Sequence, residues 1–375
     1  MADPGTRSAS ARGTREPVVV SGIAVRSAAG SGPAALLARV CAGDAAFEPV
    51  TRFDTAQRRT TVAATMPGDP VLVDELAAVI EDACAEARLD PDPRADTPML
   101  LAAHADRTNR ATADVLARRT GLRTPARTYT AACVAATSAA ADAATMIAAG
   151  RIDRAVVAAG YLVDPDTFAL FDAGRTLARD GHVRPFSTGR QGMLLGDAAV
   201  AVVLESAAGA ERRHVPSLAR LAGWGRSGDA YHVCQPRPDG TGLARAIDAA
   251  IAQAGVAPAQ IGYVNANGTG TVYSDRAESA ALHRALGPDV RRIPVSSTKS
   301  VHGHALEASG LLELVLTVLA LRAGRLPVNA GYLGPDDACE LDVVVDEERA
   351  TDTRYALTIN AAFGGANTAL LVGAP

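Results

Sequence analysis

Aromatic residues are scarce in this chain: one Trp, six Phe and seven Tyr among 375 residues. A core of this size must therefore be built from Ala, Val, Leu and Ile. Lysine is scarcer still. Lys299 is the only one, although Lys and Arg together number 37. A compact ammonium fits a tight polar pocket that a planar guanidinium does not, which singles out position 299. The five cysteines (Cys41, Cys84, Cys133, Cys234, Cys339) never fall in a C-x-x-C pair. That excludes a disulfide framework and a zinc cluster and is the usage of a reducing cytoplasm. No apolar run is long enough to cross a bilayer. The net charge of −4 argues against nucleic acid or an anionic membrane as partner. Met1 to Arg15 has no apolar core, so residues 1–16 read as a flexible tail rather than a secretory signal.

What is present is alternation. Val18–Val25 and Met99–Ala103 are buried-strand patterns, with helical patterns at Gly32–Ala42, Pro70–Ala87 and Ala113–Arg119. Arg127–Cys133 is strand-like and runs into an Ala-rich helix, Val134–Ala149. Strands at Arg154–Gly160 and Ala198–Glu205 complete a first series. A second series has helices at Gly242–Ala254, Arg276–Leu286 and Glu307–Ala323. Its strands fall at Ile261–Ala266, Ile293–Ser296, Leu341–Val345 and Ala356–Asn360. Strands alternating with helices specify an α/β protein. Two series of similar order specify a duplicated frame, residues 17–206 and 207–375, with the seam at Ala207–Pro216.

Cys133 stands where a strand gives way to a helix. Unpaired amides and the helix dipole there favour a thiolate and offer an oxyanion site; a small buried hydrophobe is the competing reading. Three later segments are chemically dense. Tyr263-Val-Asn-Ala-Asn267-Gly-Thr269-Gly-Thr271 is a strand breaking into a Gly/Thr turn, with Asp275 and Glu278 opening the next helix. Pro294-Val-Ser-Ser-Thr-Lys299-Ser-Val-His302-Gly-His304 ends a strand in a polar loop. Asn360-Ala-Ala-Phe363-Gly364-Gly365-Ala-Asn367 is a glycine-rich turn.

Together with Thr130-Ala-Ala-Cys133, Arg184-Pro-Phe186 and Gly192-Met-Leu-Leu-Gly-Asp197, these segments resemble the signatures of the β-ketoacyl synthase (condensing enzyme) family of the thiolase superfamily. The resemblance spans Pro17 to the C-terminus. It implies a five-layer αβαβα sandwich of two pseudo-duplicated halves. It further implies Cys133 as nucleophile, with His304, Asn267 and Lys299 as catalytic partners. Glu278, Thr269 and Thr271 would form a supporting polar network. Cys133, Phe363 and Gly364 would supply oxyanion hole and gate. The implied acyl donor rides on the phosphopantetheine of an acyl carrier protein or on coenzyme A, with no bound cofactor or metal. The implied assembly is a cytoplasmic homodimer, or a heterodimer with a ketosynthase-like subunit.

Two departures stand against that pattern. Asn267 occupies the position of the first family histidine, and asparagine donates an N–H but does not titrate near pH 7. The stretch from about Ala103 to Thr112 is short, which alters the acyl site. Two reactions therefore compete: decarboxylative Claisen condensation of an acyl-Cys133 thioester, or formation of an ester, lactone or amide with His304 as general base. A non-catalytic chain-length subunit is a third reading. His302-x-His304 as metal ligands lacks a third ligand at sensible spacing. His104, His182, His214, His232 and His283 have no motif context.

Overall fold

The computed structural model describes residues 15–104 and 109–375. Five strands form the first half: β1 (Val18–Ser27), β2 (Pro98–Ala102), β3 (Arg123–Tyr129), β4 (Arg154–Tyr161) and β5 (Ala198–Ser206). They lie in the order β3-β2-β4-β5-β1. β2 is parallel to β3 and β4, while β5 is antiparallel to β4 and β1. The second half repeats this with β6 (Ala219–Gly228), β7 (Ile261–Asn265), β8 (Pro294–Ser296), β9 (Tyr355–Ala361) and β10 (Ala366–Gly373). Their order is β8-β7-β9-β10-β6, with the same parallel and antiparallel relations. Val18–Val20 of β1 pairs with Ala219–Leu221 of β6, joining both sets into one continuous sheet.

Helices cover both faces. α1 (Leu72–Glu86) packs on β1, β4 and β5, and α3 (Thr241–Ala254) packs on β6 and β10, with α4 (Val272–Leu286) against α3. Between the two sets of strands lie α2 (Ala135–Ala148) and α5 (Ser309–Ala323), each touching strands of both halves. Apolar or small residues surround both helices, as burial on every side requires. Their close pass is set by Gly310, where a Cβ would stand 2.6 Å from Thr137 Cγ2. This is the mixed α/β, thiolase-like layering that the sequence implied.

Local departures have local causes. β3 stops at Tyr129, and Cys133 sits on a 3-10 turn, Ala132–Val134, instead of closing the strand. The seam is not a plain linker: Ala207–Arg212 is helical, with Ser206 Oγ accepting the Gly209 amide. α4 begins at Val272, four residues before the expected start. The expected strand Leu341–Val345 shrinks to Asp342–Val343, paired on β8. The expected tail lies mostly outside the described residues, but Glu16 is docked; its carboxylate accepts the Ala208 amide at 3.1 Å. Positions 105–108 of the shortened stretch also lie outside the described residues. Among the described residues, no helix is long and apolar enough to cross a membrane.

Candidate active site

Chain segments leaving the ends of β3, β7, β8 and β9 converge on one cavity of about 400 Å³. Cys133, Asn267, Thr269, Thr271, His304 and Phe363 all line it. The half-buried Cys133 follows Ala132, whose φ of 47° is left-handed. A non-glycine residue there stores strain, and such bends are typical of nucleophile turns. Burial, then the Glu307 carboxylate, push the Cys133 thiol up to about 12, against the pull of Lys299 and of its own amide. The depressed thiol expected from the helix end is thus overturned. Desolvation of the thiolate outweighs the local dipole, and the resting sulfur is a neutral thiol.

His304 is 3% exposed. Its backbone is clamped, the amide donating to Leu194 O and the carbonyl accepting from the Gly196 amide. Its Nδ1 accepts the Leu306 amide at 3.1 Å and lies 2.8 Å from Ser309 Oγ. That Oγ already accepts the Ala305 amide, so its hydroxyl proton turns to the ring. Both donors fix the neutral tautomer with the proton on Nε2. Burial and the Lys299 charge hold the imidazole well below its ordinary range. His304 therefore presents an N–H donor. His302, by contrast, spends both ring nitrogens internally, Nδ1 on Gly303 O and Nε2 on Thr298 Oγ1.

Asn267 is 1% exposed and held at both ends of its backbone unit. Its amide donates to Glu278 Oε1 at 2.6 Å, and its carbonyl accepts from Lys299 Nζ at 2.8 Å. The side-chain Oδ1 also faces Nζ, at 3.4 Å. With Oδ1 turned to the ammonium, the Nδ2 end is left for the cavity. Lys299 itself is off the cavity wall, so it positions Asn267 and touches no bound molecule there. It is ion-paired with the fully buried Glu313, whose other oxygen accepts Asn360 Nδ2 at 2.5 Å. Sequence reading missed this Glu313–Asn360 support. Its signal was a lone acid inside the apolar run Leu311-Leu-Glu313-Leu-Val.

Glu278 underpins the turn by also accepting the Gly268 amide at 2.8 Å. Burial, with Asp275 adding repulsion, pushes its carboxyl up to about 8. Asp275, pushed by burial up to about 7, accepts the Phe186 and Gly270 amides. Thr269 and Thr271 pair hydroxyl to hydroxyl at 3.0 Å on the cavity wall itself. Phe363 is half exposed and stacks on Phe171, ring centroids 6.0 Å apart. Its amide meets no backbone carbonyl among the described residues. Gly364 is different: its amide donates to Val233 O at 2.8 Å. That amide is committed to the loop. Cys234, exposed on the same loop, also lines the mouth, as do Tyr273 and Arg175. Asp197, buried, accepts Arg52 and the Met66 and Val163 amides; its role is to hold the frame.

A duplicated α/β frame, with a cysteine on a strained turn and an N–H-donating histidine lining one cavity, is of the thiolase-like class. Residues 78–210 match the family model "Beta-ketoacyl synthase, N-terminal domain", and residues 218–332 match "Beta-ketoacyl synthase, C-terminal domain". A Streptomyces halstedii protein named "Putative polyketide beta-ketoacyl synthase 1" is 36% identical over 295 residues, 77% of this chain and 69% of that one. The solved ishigamide ketosynthase/chain length factor superposes with a TM-score of 0.88 at 28% identity, covering 96% of this chain and 100% of that one. A type II polyketide ketosynthase solved with its acyl carrier protein and a bound hexaketide shares the fold, with a TM-score of 0.89 at 23% identity. It covers 96% of this chain and 100% of that one. The chain belongs to the β-ketoacyl synthase family, a transferase family of polyketide and fatty acid synthesis.

Proposed function

We propose that this chain is a ketosynthase that takes an acyl group onto Cys133 and extends it by decarboxylative Claisen condensation. The observation that carries this reading is the state of His304: Nδ1 is filled by the Leu306 amide and the Ser309 hydroxyl, leaving Nε2–H as a donor. Donors are what an enolate oxygen needs, and a pre-set donor costs no reorganisation as charge develops. A general base would need a free lone pair on Nε2, so the ester- or amide-forming reading is disfavoured.

The chemistry divides into two half-reactions. The Cys133 sulfur attacks the donor thioester carbonyl; a new C–S bond forms, and the donor thiol leaves with the cysteine's proton. In this reading the amides of Cys133 and Phe363 take the oxyanion. A malonyl-type thioester then loses its carboxylate as carbon dioxide. The electron pair from that broken C–C bond enters an enolate held by His304 Nε2–H and Asn267 Nδ2–H. The enolate carbon attacks the acyl carbonyl, and Cys133 leaves as thiolate and recovers a proton. The donor in this reading is carried by an acyl carrier protein or coenzyme A, through the mouth at Tyr273 and Phe363. The protein works in the cytoplasm as a dimer in this reading; among the described residues β3 is paired on one side, by β2.

Intact-protein mass spectrometry with a panel of acyl thioesters, beside carbon dioxide release from a malonyl thioester, tests this reading. An acyl mass gain lost in Cys133→Ala, together with carbon dioxide release, is the expected result. Acylation without carbon dioxide, but with an ester or amide product, would overturn the condensation. No acylation by any donor would favour the chain-length subunit reading.

A further inference from the structure

Among the described residues that line the cavity of Cys133, Arg175 is the one with a charged side chain. The other polar groups on its walls, such as Gln191, Gln235, Thr271 and Ser274, are neutral. The chain is bent to put the arginine there. Arg175 follows the helix Pro165–Ala173 and takes a left-handed φ of 56° without being glycine. The bend is pinned on both sides. The Arg175 amide donates to Asp172 O at 3.0 Å, and the Thr176 amide and hydroxyl both donate to Phe171 O, at 3.2 and 3.0 Å. Phe171 stacks on Phe363, and both rings belong to the cavity wall. The acids on either side of Arg175 along the chain are spent elsewhere. Asp172 accepts the Arg59 amide with both oxygens, at 3.1 and 3.2 Å, and Asp180 is ion-paired with Arg184. Arg175 is exposed and has no ion pair among the described residues.

Backbone strain in a non-glycine residue gathers at ligand clamps, and a guanidinium without an internal partner is open to an anion from outside. A donor that acylates Cys133 enters this same cavity with its thioester innermost. The far end of its arm then lies toward solvent, where Arg175 stands. We infer that Arg175 is a specificity residue that binds the phosphate at the outer end of a phosphopantetheine arm and favours donors that carry it. The planar guanidinium fork matches two phosphate oxygens at once, and no acid on the cavity wall opposes that charge. Carrier-protein and coenzyme A donors share this phosphate, so the chemistry recognised is common to both. This inference rests on Cys133 being the acylated residue.

The test compares butyryl-pantetheine with butyryl-4′-phosphopantetheine, each as sole donor to the full chain, by the second-order rate of Cys133 acylation read from intact mass. One exposed charge-assisted pair sets the expected preference for the phosphorylated donor at about three- to tenfold. That preference should shrink as ionic strength rises past about 0.1 M, where the screening length is about 10 Å. Arg175→Gly suits the left-handed backbone, so the fold is not at stake, and it should bring the ratio to unity. Arg175→Lys keeps the charge without the fork and should retain part of the preference. Butyryl-coenzyme A should behave as the phosphorylated donor does. Equal rates for the two small donors, or a preference that survives Arg175→Gly, overturn the inference while leaving acylation intact. A loss in Arg175→Gly confined to carrier-borne butyryl also overturns it, and assigns Arg175 to the carrier's protein surface instead. Failure of Cys133 to load from any donor overturns the acyl-enzyme reading and this inference with it.

Discussion

At Asn267 the two ends of one amide face opposite demands. Lys299 holds the oxygen, so the nitrogen is what the cavity receives. Lys299→Met should therefore free the amide to rotate and lower carbon dioxide release. It also strands Glu313 in the core, a loss of about 3–5 kcal/mol of stability measurable by denaturant unfolding. The companion variant Lys299→Met/Glu313→Leu should recover much of that stability but not the release, which separates positioning from folding. Asn267→His should raise carbon dioxide release if the amide is what limits enolate binding; a folded variant with no rise would count against that account. His304→Ala removes one oxyanion donor and should cost about 10²–10³ in release rate. The residues that matter here were legible where they sat in dense polar turns: Cys133, Asn267, Lys299 and His304. Glu307 and Glu313 were not, since each is one acid in an apolar stretch whose partners, His104 and Lys299, arrive only through the fold. The thiol's raised pKa was likewise invisible, because a helix end is a local feature and burial is a tertiary one.

Elements place those residues within narrow tolerances. α2 carries the Cys133 turn on its N-terminal end, and α5 follows the Glu307 turn directly. Their separation is governed by Gly310 against Thr137. Gly310→Val should overpack that contact at a cost of about 1–3 kcal/mol. Chemical denaturation would show the loss, and Thr137→Ala in the same chain should return part of it. Strand and helix order could be read along the chain because apolar runs alternate with helical spacing. The pairing of Val18–Val20 with Ala219–Leu221 could not, since nothing in either tripeptide names its partner. The strand ending at Tyr129 rather than Cys133 has the same origin. β propensity continued through Thr130, but β2, the only neighbour of β3 among the described residues, ends at Ala102 opposite Tyr129.

For the whole molecule, buried acids shape the response to pH. Asp275 and Glu278 bind protons more tightly folded than unfolded, at about 7 and about 8. Between the ordinary carboxylate range and those values the native state holds more protons than the unfolded chain. Stability therefore falls as pH rises through that window and is fully present below it. Buried His302 and His304 act in the opposite sense below the ordinary imidazole range, so the declining midpoint should be seen in thermal unfolding followed from roughly pH 6.5 to pH 8. Glu278→Gln, lacking one of the two groups, should start lower and decline less steeply. An unchanged slope would remove Glu278 from the account.

The stitching of the two halves through β6 has a topological corollary. Arg220 pairs with Val19 on one side and with Gly373 on the other. The first and last strands thus flank a single residue, about 10 Å apart at two strand spacings. A short glycine-serine bridge from Ala374 to Glu16 would close the chain into a ring. Opening that ring between Arg213 and Pro216 would yield a permutant that is synthesised with its second half first, yet leaves every strand neighbour and every cavity-lining residue where it is.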